Sequence, residues 1–216
     1  MKLNFSPQSI FKIRNKIYVN NIKNFCEIDM KNLSCITKND PRFYSDIISS
    51  NDNYICVYDI PSINIYSINM EFVGNISTDN SLQNFIIDNN NSILVSFTDK
   101  FCIHNLEGEI INSWKLNKNK KNYDRTRYIT NYGNEIFMTD TNYNRICVFS
   151  YEGNLIRSWG KFGNDTRDLN YPTEIIIYKN LIFVIDLGNF RIQVLIFLTN
   201  LLRVLIMTQN FIVKTL

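Results

Sequence analysis

The feature that most constrains the fold of this chain is a short β-rich run that recurs five times. The runs read IYV, ICV, ILV, IFM and IFV, and they begin at Ile17, Ile55, Ile93, Ile136 and Ile182. Their first residues lie 38, 38, 43 and 46 positions apart. Each run is short, rich in β-branched or aromatic residues and bounded by Asn, Asp or Gly, which favours strands over helices. The chain therefore consists of β-rich repeats.

The fourth and fifth repeats show the order of the strands. In the fourth, strands are predicted at 135–140 (EIFMTD), 145–149 (RICVF) and 155–160 (LIRSWG), with turns at 141–144 and 151–154. The fifth repeats this order with LIFVID, a turn LGNF and RIQVL over residues 181–195. Several strands per unit at a period of about 40 to 45 residues are typical of β-propeller blades.

These two repeats resemble the NHL repeat. That repeat has a strand ending in Asp, a short turn often containing Gly-Asn, an Arg-Ile-x-Val-Phe strand, a Gly turn, a strand ending near Trp-Gly and a Pro before the next blade. The residues that carry the resemblance are Asp140, Arg145, Gly153, Trp159, Pro172, Asp186, Gly188, Asn189 and Arg191. The resemblance is specific from about residue 135 to residue 194, and the repeats upstream keep mainly the period.

We therefore predict an all-β fold, a β-propeller of four-stranded antiparallel blades over residues 1–194. The blades are expected near 10–37, 44–76, 82–116 and 128–160, with a partial fifth blade at 173–194. Propellers close with about 4 to 8 blades, and the resemblance implies six. About five blades in 216 residues predict an incomplete or open ring.

The repeated Asp and Arg residues are expected to be structural. Asp140 and Arg145 flank one hairpin turn, where the carboxylate can accept hydrogen bonds from turn N–H groups and from the guanidinium. Asp186 and Arg191 flank the next. A feature that is repeated from one unit to the next serves the repeated geometry, so a catalytic role is disfavoured. Gly153 is expected to supply a positive φ, and Trp159 to pack between blades.

One loop face is the expected site of binding. In a four-stranded meander, the turn between the second and third strands and the link to the next blade emerge on the same face. This face carries the long links 115–127 and 161–171. The first link holds a set of basic and aromatic residues: Lys118, Lys120, Lys121, Tyr123, Arg125 and Arg127. Such a set could bind single-stranded RNA, or it could be an ordinary solvated loop, which the net charge of +3 favours.

The sequence offers little for catalysis. It has one histidine, His104, which we expect on a third strand, and none of the common nucleophile, P-loop or zinc-protease patterns. We predict a non-enzymatic scaffold that needs no metal or cofactor and binds a protein partner, with RNA as the alternative partner and neither DNA nor a membrane expected. Some similar propellers are hydrolases or lyases with a channel metal, so a carboxylate-bound metal site is the other alternative.

The five cysteines are scattered, with no CxxC pair, and the opening residues lack the apolar core of a secretory signal. We therefore expect reduced thiols and an intracellular, cytoplasmic protein.

Residues 195–216 form an atypical apolar tail. No Asp or Glu follows Asp186, and the apolar run is interrupted by Asn200 and Arg203, so it is too short for the roughly 20 residues of a membrane span. Back-translation with AT-rich codons, read in a shifted frame, gives an acidic segment like the outer strand of the fourth repeat. We interpret the tail as translated out of its ancestral frame, which would place an apolar strand at a sheet edge.

Overall fold

A computed structural model describes residues 9–14, 16–21, 24–29, 32, 34–38, 40–43, 45, 47–79, 81–115, 128–198, 201–207 and 214–215. Over this range the chain forms 21 strands and three single-turn 3-10 helices, and the described residues contain no α-helix. The predicted all-β class is confirmed, because strands lie at 135–140, 145–150, 181–186 and 191–198, where α-helices would have contradicted it. A search of the described residues for a membrane-spanning helix finds none.

The first three sheets are four-stranded antiparallel meanders. The first contains β1 (Ser9–Ile13), β2 (Lys16–Asn21), β3 (Asn24–Asp29) and β4 (Ser34–Lys38). The second contains β5 (Ile48–Ser50), β6 (Tyr54–Asp59), β7 (Ser62–Ser67) and β8 (Phe72–Ser77). The third contains β9 (Leu82–Ile87), β10 (Ile93–Phe97), β11 (Lys100–His104) and β12 (Ile110–Lys115).

The last two sheets contain the specific motifs. The fourth has β13 (Ile129–Tyr132), β14 (Glu135–Asp140), β15 (Arg145–Ser150) and β16 (Leu155–Trp159). The fifth has β17 (Pro172–Tyr178), β18 (Leu181–Asp186), β19 (Arg191–Leu198), β20 (Leu201–Met207) and the short β21 (Lys214–Thr215). The apolar tail thus supplies an outer strand, β20, which pairs with β19 from Ile192 to Leu198 without a bulge. We call the five sheets blades one to five.

The chain divides into two compact units, Met1–Val95 with Phe101–Ser113 and Ser96–Lys100 with Trp114–Leu216. In the first unit, β1 contacts β5, and β5 and β6 contact β9. Phe11 and Ile13 of blade one pack with Ile55 and Val57 of blade two. In the second unit, β17 contacts β13 and β14. Burial of each such side chain stabilises the fold by roughly 1.5–3 kcal/mol.

The cysteines differ from the expectation at one position. Cys56, Cys102 and Cys147 are buried and form no disulfide, and burial raises the pKa of the Cys56 thiol. Cys26 is disulfide-bonded, so the expectation of a reduced thiol is wrong for that residue. His104 ends the third strand of its blade, as expected, and its Nδ1 lies 3.0 Å from the Gly108 carbonyl oxygen. Because a carbonyl only accepts hydrogen bonds, Nδ1 carries the proton.

Candidate functional site

The turn of blade five is built on a buried ion pair. Asp186 ends β18 and Arg191 begins β19, directly opposite each other in the antiparallel register. The turn between them is a 3-10 helix over Leu187–Asn189. Arg191 Nε donates a hydrogen bond to Asp186 Oδ2 at 2.7 Å, and the two side chains are only 8% and 0% exposed. An ion pair this deeply buried is tolerated only when its remaining polar atoms are also satisfied.

The Asp186 carboxylate has further donors. Its Oδ1 accepts a hydrogen bond from the Asn170 N–H at 2.6 Å. Its Oδ2 accepts from Asn189 Nδ2 at 2.9 Å and from Gln193 Nε2 at 3.2 Å. The negative charge is therefore bonded on both oxygens, which offsets the cost of removing it from water.

The Arg191 guanidinium holds the link between blades four and five. Its Nη1 donates to the Asn164 carbonyl at 2.8 Å. Its Nη2 donates to the carbonyls of Asp165 at 2.9 Å and Asp168 at 2.8 Å. Gln193 also donates to the Asp168 carbonyl. Three carbonyl oxygens of the link are thus bound by one rigid planar group, so the link has a defined path.

The turn of blade four meets the end of the same link. Arg145 Nε donates to Asp140 Oδ2 at 2.8 Å, but the Arg145 side chain is 38% exposed. Thr141 Oγ1 donates to the Pro172 carbonyl at 2.7 Å, and Asn144 Oδ1 accepts from the Tyr171 N–H at 2.7 Å. The turns 141–144 and 187–190 therefore both contact the link 160–171, as the parity of the meander predicts.

Two equivalent residues close these turns in the left-handed conformation. Asn144 has φ 54° and ψ 44°, and Phe190 has φ 51° and ψ 43°. Asn tolerates this conformation, whereas for a bulky residue it is an outlier. Phe190 is also 75% exposed, so burial of its ring within the chain gives no compensation for the strain.

Two other exposed apolar side chains belong to the segments around Phe190. Phe162 is 72% exposed and Leu187 is 47% exposed. Asn189 Nδ2 donates a hydrogen bond to the Gly163 carbonyl at 2.9 Å. This bond connects the turn that contains Phe190 to the link segment that contains Phe162. We call Phe162, Leu187 and Phe190 the aromatic surface. At its edge, Lys161 Nζ lies 3.8 Å from Asp168 Oδ1 and its side chain is 80% exposed.

The other motif residues have packing roles. Gly153 has φ 90°, and a Cβ there would lie 2.6 Å from the Trp114 ring. Trp159 packs edge-on against Phe137, with ring centroids 6.4 Å apart. Pro172 is buried at the start of β17. Gly188 N–H donates to the Asn170 carbonyl at 2.7 Å, and a Cβ at Gly188 would collide with the Asn170 side chain.

The basic set of the first link cannot be placed relative to this surface. Lys118, Lys120, Lys121, Tyr123, Arg125 and Arg127 are all outside the described residues. Within the described residues, no group of three or more His, Cys, Asp or Glu side chains is placed to hold a metal ion.

Sequence reasoning missed Gln193 and the aromatic surface. Gln193 occupies the position of Cys147 in the preceding repeat, and a polar residue in an otherwise apolar strand was its only signal. Phe190 replaces Asn144 in the alignment of the two repeats, which marks it in the sequence, but neither its exposure nor its strain can be read there.

Comparison with known proteins finds similar structures but no relative by sequence. No family model matches the chain, and no curated protein matches it by sequence.

Solved structures match over most of the chain. A streptogramin B lyase is 12% identical, with a TM-score of 0.66, and the match covers 98% of this chain and 84% of that one. Virginiamycin B lyase from Staphylococcus aureus is 14% identical, with a TM-score of 0.61 and coverage of 99% and 71%. Hsv2 from Kluyveromyces lactis is 13% identical, with a TM-score of 0.59 and coverage of 90% and 60%. At such identities the likeness concerns the fold alone, and it shows that the chain has a β-propeller fold.

Proposed function

We propose that this chain is a non-enzymatic, NHL-type propeller scaffold of the cytoplasm that binds a protein partner through the loop face of blades four and five. The observation that carries the proposal is Phe190. It is a large apolar residue, 75% exposed, in a left-handed conformation that the preceding repeat gives to an asparagine.

Local strain of this kind supports a binding role. A non-glycine residue in a sparsely populated backbone region costs on the order of 1–3 kcal/mol and tends to occur at functional sites. Asn at position 190 would lower the strain and remove an apolar group from water. The phenyl ring works against both local stability and solubility, which is expected where a partner covers it. Exposed aromatic residues are also enriched at the centres of protein interfaces.

The support beneath the aromatic surface is rigid. Phe190 lies between Asn189 and Arg191, whose side chains both bond to the buried Asp186. Phe162 precedes Gly163, whose carbonyl is bonded by Asn189. A surface held in one arrangement loses little conformational entropy on binding, so more of its contact free energy appears as affinity.

The charges around the surface favour a protein over RNA. Lys161 and Arg167 on the link are matched by Asp165 and Asp168, and Lys161 already faces Asp168. RNA binding depends on an excess of cationic groups beside the backbone phosphates. Here the apolar rings, rather than charge, are the distinctive feature. RNA therefore remains the competing outcome of the experiment.

The test is affinity capture from lysate with the tagged chain, with and without RNase. The variants are Phe162→Ala and Phe190→Asn, and the matched control is Leu155→Asn, which removes a 55% exposed apolar side chain from the outer strand β16 of the same unit. We expect RNase-resistant, salt-tolerant partners that the control retains and both surface variants lose. Recovery that RNase abolishes would support RNA binding instead, and partners kept by Phe190→Asn would show that the aromatic surface is not the site.

A further inference from the structure

The side chain of Asn189 joins two segments that are distant in the sequence. Its Nδ2 donates one hydrogen bond to Asp186 Oδ2 at 2.9 Å, within its own turn. It donates a second to the Gly163 carbonyl at 2.9 Å, in the link 26 residues earlier. An amide nitrogen has two N–H groups, so both are used, and one of them bonds the turn of blade five to the link.

The turn itself does not require this asparagine. Alignment of Asp140 with Asp186 places Tyr143 of blade four at the position of Asn189. The Tyr143 ring lies 5.2 Å from the Arg145 guanidinium carbon. Each of the two turns is nevertheless a 3-10 helix of three residues, followed by a residue in the left-handed conformation. The hydrogen bond to the link is therefore an addition to the turn and not a condition for its formation.

This bond acts beside Phe162. The Arg191 guanidinium holds the link at three carbonyls that follow Gly163 in the chain, whereas Asn189 bonds Gly163 itself, directly after Phe162. A Cβ at Gly163 would collide with the Asp168 carboxylate. The link backbone at Gly163 is thus bonded by Asn189 and in close contact with Asp168, which fixes the point from which Phe162 extends.

We propose that Asn189 is a positioning residue of the aromatic surface. Its hydrogen bond to Gly163 holds Phe162 in one place relative to Phe190, so that a partner meets both rings in a preformed arrangement. Without the bond, the Phe162 segment samples more conformations, and more conformational entropy is lost when the partner binds. This inference rests on the proposed function and adds to it a residue that acts through the backbone of the link.

The first measurement is amide hydrogen exchange of the purified full chain, followed by mass spectrometry of peptides from the link 160–171. The variant is Asn189→Ala. The matched control is Ser150→Ala, which removes a hydroxyl that accepts hydrogen bonds from two N–H groups of the turn 150–154. This turn joins the third and fourth strands of blade four and emerges on the opposite face.

We expect exchange in the link to be about 2- to 10-fold faster in Asn189→Ala, the range that one neutral hydrogen bond contributes. Exchange in β14 and β15 should stay as in the unchanged chain, and the control should leave the link unaffected. Equal acceleration throughout the unit would show a general loss of stability and would overturn the positioning role. An unchanged link would overturn it as well.

The second measurement is calorimetry at several temperatures with the purified protein that the capture experiment yields. The heat-capacity change on binding reports the apolar area that is buried. Phe190→Asn removes a ring and should reduce both the affinity and the heat-capacity change. Asn189→Ala keeps both rings, so the affinity should fall about 2- to 10-fold while the heat-capacity change is retained. If Asn189 served only the stability of the fold, the affinity of the folded chain would not change.

The outcomes separate this inference from the proposed function. If Phe162→Ala and Phe190→Asn bind like the unchanged chain, or if capture yields no partner, both proposals fail. If these two variants weaken binding and Asn189→Ala does not, only the positioning role is excluded. Should Asn189→Ala fail to fold, Asn189→Tyr takes its place in both measurements, because it gives the turn the residue that blade four has and removes the amide.

Discussion

Asn144 and Phe190 close equivalent turns of successive blades with nearly the same left-handed backbone, at φ 54° and φ 51°. The asparagine uses its side chain to bond the Tyr171 N–H, whereas the phenylalanine ring is exposed to solvent. The same backbone geometry thus has a structural role in blade four and presents an apolar group in blade five.

Phe190→Asn is expected to stabilise the chain by about 1 kcal/mol, because Asn adopts the left-handed region more readily than Phe. The measurement is urea unfolding at equilibrium. The reciprocal variant Asn144→Phe is the control. It should lower stability, since it adds strain and removes the hydrogen bond to Tyr171. Equal effects of the two variants would contradict the assignment of strain to position 190.

Arg191→Met is expected to destabilise the second unit by about 3–5 kcal/mol, because it leaves the buried Asp186 carboxylate without its cation. Arg145→Met should cost less, since the Arg145 side chain is 38% exposed and water screens the pair. Urea unfolding of both variants measures the difference. Adding Asp186→Asn to Arg191→Met should restore part of the loss, and no such recovery would mean that the charge is compensated by other groups.

Gly153→Ala combines two costs, a left-handed φ of 90° and a Cβ placed 2.6 Å from the Trp114 ring. Gly133→Ala isolates the first, because its φ is 57° and no atom lies within 4 Å of the added Cβ. We expect about 1 kcal/mol of destabilisation at Gly133 and clearly more at Gly153. Thermal unfolding followed by tryptophan fluorescence measures both, and a similar loss at the two sites would argue against tight packing on Trp114.

Stability should fall at alkaline pH partly through Tyr128. Burial, and then the negative charge of Glu174, raise the pKa of this phenol above its ordinary value of 10.0. The unfolded chain therefore loses this proton first, so the contribution to stability is full below the ordinary value and is lost as pH rises through the folded value. In the Tyr128→Phe variant, the urea midpoint should fall less steeply with pH in this range. Cys56, whose pKa is also raised, is retained in both proteins, so its contribution is the same in each. An unchanged slope would assign the alkaline loss to other groups.

The reading of the tail as frame-shifted stays a prediction, and the genomic DNA tests it. The shifted frame should continue past codon 216 and encode at least one more Asp-to-Arg-Ile repeat. A stop immediately in that frame, with no repeat in any frame downstream, would rule the interpretation out.

The fold could be predicted because it depends on local pattern. The runs that begin at Ile136 and Ile182 form strands because they are short, rich in β-branched and aromatic residues and bounded by turn residues. The spacing between successive runs indicates where each blade begins and ends. The Asp186–Arg191 pair followed from the repeat as well.

The conformation of the link could not be predicted in the same way. Residues 160–171 have no periodicity, and their path is set by the Arg191 guanidinium, which follows them in the chain. The left-handed φ of Phe190 is likewise imposed by the turn rather than by the preference of the residue, so the exposed ring became visible only in three dimensions. The disulfide at Cys26 was missed because the scattered spacing of the cysteines carries no pairing information.

The dependence of the link on Arg191 also sets an order in time. During synthesis, Tyr171 leaves the ribosome twenty residues before Arg191, which at about 5–20 residues per second is a delay of about 1–4 s. During that interval the carbonyls of Asn164, Asp165 and Asp168 lack the hydrogen bonds from the Arg191 guanidinium, and Phe162 has already left the ribosome. The nascent chain therefore carries the link, with Phe162 in it, before the guanidinium that fixes its path has been synthesised.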